Sequence, residues 1–126
     1  MDQPNFIPAD KLQTLNVTTM DNKECQDKIN NFTESVGEDT ADDIITTSML
    51  CAEHPTDAAK MSCGGDSGGP LISLSKEGSH FHQIGVVSWG DGLCAGPMPG
   101  VFGRVTDQLY WIMKLVSGDT CPPPQL

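Results

Sequence analysis

The sequence predicts an all-β fold closed by one C-terminal α-helix. Three observations predict it. Short apolar runs over residues 49–52, 70–74, 81–89 and 100–105 are separated by polar or Gly/Pro-rich stretches, the pattern of strands joined by turns. Two of those runs flank Lys76-Glu77-Gly78-Ser79, a polar hairpin tip. Leu109, Tyr110, Ile112, Met113 and Val116 then form an apolar stripe at roughly helical spacing.

Taken in order, residues 1–11 are polar, contain Pro4 and Pro8, and read as loop. Leu12, Leu15 and Val17 begin a strand-like run that ends near Thr19, with imperfect alternation. Asp21 is placed to cap a short helix reaching about Ile29, with Glu24 three residues on, as in a capping box. Residues 30–43 are polar and acidic and read as loop. Residues 44–52 hold a strand core at 49–52, and residues 53–60 form a second loop. The hairpin follows, its return strand carrying Ile84, Val86, Val87 and Trp89. Residues 90–99 are a Gly/Pro-rich loop, and 100–105 are a strand. Thr106 or Asp107 is placed to cap a terminal helix over about 107–117, and Gly118 to end it. Cys121 and Pro122, Pro123 and Pro124 make a stiff tail over 118–126. There is no internal repeat.

The 126 residues suit a single domain or a piece of one. Seventeen acids against seven bases give a net charge of -10. Phosphate recognition needs basic clusters, so nucleic acid is excluded as a partner, and an anionic membrane surface is disfavoured for the same reason. No run approaches the length of a membrane span.

Cysteines stand at 25, 51, 63, 94 and 121, with no CxxC pair. That spacing fits two disulfides and one leftover thiol, hence an oxidising, extracellular setting. Asn16-Val17-Thr18 and Asn31-Phe32-Thr33 are sequons that point the same way. The first residues hold no signal-peptide pattern. Secretion-style cysteines without a leader suggest that the true N-terminus lies upstream, or that this is an unusual isoform.

One stretch carries chemistry: Gly64-Gly65-Asp66-Ser67-Gly68-Gly69-Pro70. Gly65 and Gly68 free the backbone for positive φ and for close approach by another molecule. The Gly65 and Ser67 N–H groups can then converge on one point, as an oxyanion hole requires. Ser67 is thus a candidate nucleophile ahead of a strand opening at Pro70. By itself the stretch is equally a Gly-rich surface turn.

Cys63-Gly64-Gly65-Asp66-Ser67-Gly68-Gly69-Pro70-Leu71 resembles the active-serine motif of chymotrypsin-like serine endopeptidases. Val87-Ser88-Trp89-Gly90, Cys94 and Pro99-Gly100-Val101-Phe102-Gly103-Arg104-Val105 resemble that family's next segment. Tyr110-Trp111-Ile112 is similar to its closing helix, and Met49-Leu50-Cys51-Ala52 to the strand before its specificity pocket. These matches occur in the family's order over roughly residues 12 to 116.

The resemblance implies the C-terminal Greek-key β-barrel of a double-barrel peptidase, at about 12–105, with its first strand expected upstream. An open barrel of that kind exposes a sheet edge. It implies Ser67 as the acylating nucleophile and Gly65 and Ser67 as oxyanion donors. Asp66 would pair with a new N-terminal ammonium after zymogen cleavage. It implies Cys25–Cys51 and Cys63–Cys94 bridges, each contributing roughly 3 kcal/mol. Met61, Ser62, Ser88, Trp89, Gly90 and Gly100 fall on the implied substrate pocket. Met61 stands where trypsin-like members carry Asp, so a neutral base with open glycine walls favours an apolar P1 residue. Met61 could instead fill the pocket floor. Implied partners are a protein or peptide substrate, protein protease inhibitors and an N-terminal barrel. No metal or cofactor is implied.

A serine hydroxyl needs a base, and the base needs an orienting acid. The family takes both from the preceding barrel, and no segment here resembles either motif. His54, His80 and His82 read as surface histidines. Cys121 has either an upstream mate or none. The expectation is a C-terminal half of a secreted endopeptidase, inactive by itself. Two alternatives remain: a catalytically dead binding module, and an enzyme using a base foreign to the family.

Overall fold

A computed structural model of the chain describes residues 9–37, 43–91, 94 and 96–117. The strands are β1 (Thr18–Met20), β2 (Met49–Glu53), β3 (Pro70–Leu74), β4 (Phe81–Trp89) and β5 (Gly100–Arg104). All pair antiparallel in one sheet of order β1-β2-β5-β4-β3. Helix α1 (Asn22–Val36) follows β1, and helix α2 (Leu109–Val116) closes the described chain. The all-β expectation with a terminal helix holds.

The sheet's two faces follow from period-2 alternation. In β2, Cys51 joins a buried cluster with Cys25, Ile29, Met98 and Val101. Its neighbours Leu50 and Ala52 join Phe102 in a second cluster. Helix α1 covers the first face with Cys25, Ile29 and Thr33, which recur every fourth residue and are all buried. The Cys25–Cys51 bridge fastens that helix to β2, with Cα atoms 6.1 Å apart.

Three boundaries differ from the sequence expectation. The strand expected from Leu12 is only Thr18–Met20, because only those residues find partners, at Glu53, Ala52 and Cys51. Leu12 is left 97% exposed. The helix expected to stop near Ile29 runs to Val36, so residues 30–36 are not loop. Asp21 does cap it, accepting the Glu24 N–H at 2.8 Å. Its end comes at Gly37, whose φ of 74° suits glycine and whose N–H reaches the Glu34 and Thr33 carbonyls. The terminal helix has no side-chain cap at Thr106 or Asp107: the chain enters α2 through a 3-10 turn over Val105–Gln108. Gly118, Cys121 and Pro122–124 lie outside the described residues.

Arg104 ties three elements together. Its Nε–H is shared between the Thr47 and Met49 carbonyls, each at 3.0 Å. Its Nη2 donates to Asn22 Oδ1 at 3.0 Å. The end of β5 is thereby fixed to the start of β2 and the first turn of α1. Helix α2 is different: it has no fully buried residue, and Tyr110 is 83% exposed. Ile72, Leu74 and Phe81 of the outer hairpin are exposed as well. Among the described residues, no helix is long and apolar enough to cross a membrane.

Candidate active site

The loop before β3 is built from consecutive tight turns. The Asp66 N–H donates to the Cys63 carbonyl at 3.0 Å, and the Gly69 N–H to the Asp66 carbonyl at 2.9 Å. Gly65 and Gly68 have φ of 101° and 84°, where a side chain would be strained. A Cβ at Gly69 would lie 2.9 Å from the Asp66 carbonyl oxygen, too close for a real contact. Two hydrogen bonds of 2.9 Å, from Gly68 N–H to the Val87 carbonyl and from Val87 N–H to the Gly69 carbonyl, dock the loop on β4.

Ser67 is exposed at the turn of this loop. Asp66, Gly68 and Gly69 spend their N–H groups on the backbone. Among the described residues, the Gly65 and Ser67 N–H groups have no acceptor. The exposed Asp66 carboxylate folds back on its own loop, its Oδ2 accepting the Cys63 N–H at 2.8 Å.

A cavity of about 160 Å³ opens beside the serine. Ser62, Ser67, Ser88, Trp89 and Gly90 line it, and the Cys63–Cys94 bridge forms one wall. Gly64, Val87 and Asp91 also line it and were not anticipated. Asp91 immediately follows Gly90 in the loop that Cys94 ties back to Cys63, and that is the sequence signal for it. Among the described residues, its carboxylate is the one charged group lining the cavity. Asp91 Oδ2 accepts the Gly96 N–H at 2.6 Å, which holds this loop closed.

Met61 and Gly100 do not line the cavity. Met61 packs on the cluster of Leu50, Ala52 and Phe102, with its terminal methyl against Gly100. Gly90 also approaches Gly100: a Cβ at Gly90 would stand 3.7 Å from the Gly100 Cα.

The histidines lie elsewhere. His54 Nδ1 accepts the Asp57 N–H at 3.1 Å, and its residue lines a separate cavity of about 520 Å³ beside α1. His80 and His82 stack edge to face at 4.6 Å near the start of β4. None of the three lines the Ser67 cavity. Among the described residues no cluster of three or more His, Cys, Asp or Glu could hold a metal ion.

The family model described as Trypsin matches residues 2–112 of the chain.

Proposed function

The chain belongs to the trypsin family, and from that premise we propose that it forms the C-terminal, serine-bearing half of a secreted endopeptidase. The family acts on protein substrates. The observation that carries the reading is the pair of N–H groups at Gly65 and Ser67, left without acceptors while those of Cys63, Asp66, Gly68 and Gly69 are engaged. Free donors flanking an exposed serine are what an oxyanion needs.

Ser67 Oγ attacks the substrate carbonyl and forms the acyl-enzyme, and Gly65 and Ser67 N–H groups hold the negative oxygen. The base is a histidine with its orienting acid on another barrel, because His54, His80 and His82 lie away from Ser67. Asp66 leaves Cys63 for a new N-terminal ammonium when the zymogen is cut. Until those groups are supplied the chain does not hydrolyse peptides.

The cavity takes an apolar P1 side chain. Trp89 and Val87 supply apolar wall, and Asp91, the one charged residue among its described lining, already accepts the Gly96 N–H. Protein protease inhibitors would enter the same cavity. The Asp66 carboxylate, already engaged by the Cys63 N–H, favours a second reading, a binding module that keeps the pocket without the chemistry.

Cleavage of a peptide library by this chain, assembled with a His- and Asp-bearing barrel, tests the pocket. Preference for Phe, Leu or Met at P1 is expected. Cleavage after Arg as fast as after Phe or Leu would overturn the pocket assignment. An assembled but inactive protein that still binds inhibitors would favour the binding module.

A further inference from the structure

We propose that the two sequons are unequal: Asn16 is an N-glycan acceptor in the folded chain, whereas Asn31 accepts only before α1 folds. The proposal rests on the reading that the protein enters the secretory route. The donor is an oligosaccharide linked to a lipid pyrophosphate. Transfer breaks the bond between the anomeric carbon and its phosphate oxygen and forms a bond from that carbon to the asparagine Nδ2. The amide proton and the lipid pyrophosphate leave. The transferase must engage the asparagine amide and the hydroxyl two residues on, which calls for an accessible, extended segment.

Asn16 meets that requirement. It precedes β1, outside any helix or strand, and both Asn16 and Thr18 are exposed. Asn31 does not meet it. It is exposed on α1, but Thr33 is only 2% exposed. The Thr33 hydroxyl donates into the helix, 3.0 Å from the Ile29 carbonyl and 3.1 Å from that of Asn30. Residues two apart on a helix point to different sides. An enzyme bound to Asn31 therefore cannot reach Thr33 until the helix unwinds.

Closure of Cys25–Cys51 opposes that unwinding, because it fastens α1 to β2. A helix of this length draws most of its stability from packing, and Cys51 must enter the lumen before the packing face is complete. Synthesis at about 5–20 residues per second leaves Asn31 a window of roughly seconds. Occupancy at Asn31 is then a race between transfer and closure of the bridge, and occupancy at Asn16 is not.

The test is translation of the whole chain behind a cleavable leader into microsomes, which makes entry independent of the natural destination. Enzymatic deglycosylation in heavy-oxygen water and mass spectrometry then read each site, with Asn16→Gln and Asn31→Gln as assignments. Asn16 is expected to be occupied equally with and without dithiothreitol. Asn31 is expected to be less occupied than Asn16 under oxidising conditions. It should rise several-fold with dithiothreitol, or in Cys51→Ser without it. Equal occupancy of the two sites under oxidising conditions would overturn the proposal. So would an Asn31 occupancy that ignores both dithiothreitol and Cys51→Ser, or an unmodified Asn16. A natural protein lacking glycans, with the microsomal pattern intact, would count against secretion and leave the inequality standing.

Discussion

The Asp66 carboxylate accepts the Cys63 backbone N–H at 2.8 Å, so the acid beside the serine is turned onto the first residue of its own loop. A charge-assisted bond of this kind contributes about 1–2 kcal/mol net. Asp66→Ala should lower unfolding free energy by about that amount, with Asp66→Asn in between. Urea denaturation with the disulfides intact measures it. Unchanged stability in Asp66→Ala would mean that the contact does not hold the loop.

Two glycines near the cavity should respond differently to alanine. At Gly69 the new methyl meets the Asp66 carbonyl, a backbone atom inside a tight turn. At Gly100 it meets the terminal methyl of Met61, the far end of a flexible side chain. Gly69→Ala should cost roughly 1–3 kcal/mol, and Gly100→Ala less, because Met61 can change rotamer. A larger loss at Gly100 would show that Met61 is held rigidly.

Arg104 offers a test of the link between α1 and the sheet. Lysine preserves the charge but cannot reproduce the guanidinium's contacts with the Thr47 and Met49 carbonyls and with Asn22. Arg104→Lys should destabilise by about 1–3 kcal/mol, and amides at the start of α1 should exchange faster. Wild-type exchange there in the variant would contradict the assignment.

The hairpin was legible to the residue: Pro70–Leu74 and Phe81–Trp89 are the strands expected. Membership of the family and the serine loop were legible because glycine, aspartate and serine occur there in fixed order. The second half of α1 was not. Its buried stripe is Cys25, Ile29 and Thr33, and only Ile29 announces itself as apolar. The segment from Leu12 shows the converse. Its apolar residues suggest a strand, but pairing begins only at Thr18, opposite Glu53. Met61 likewise depends on tertiary packing: its contact with Gly100 and the Phe102 cluster is invisible in the local pattern.

Lys28 gives a prediction in pH. The Glu53 hydrogen bond, its largest influence, raises its pKa above the ordinary value of 10.5; partial burial opposes this, and Glu24 adds to it. A raised lysine contributes stability in full below its unfolded pKa and loses it as pH climbs through the folded one. The side chain is 35% exposed, so screening holds the contribution under about 1 kcal/mol. Lys28→Met should therefore be slightly less stable than wild type at neutral pH, with the gap closing in strong alkali. A gap that widens as pH rises would reverse the sign.

The central claim is that Ser67 is a peptidase nucleophile awaiting a base from another barrel. Fluorophosphonate labelling, read as a mass increase on the peptide containing Ser67, tests it most directly. The chain by itself should label no faster than Ser67→Ala. The chain assembled with a His- and Asp-bearing barrel should label stoichiometrically at Ser67. Stoichiometric labelling of the chain by itself, or none in the assembled and activated protein, would contradict the claim.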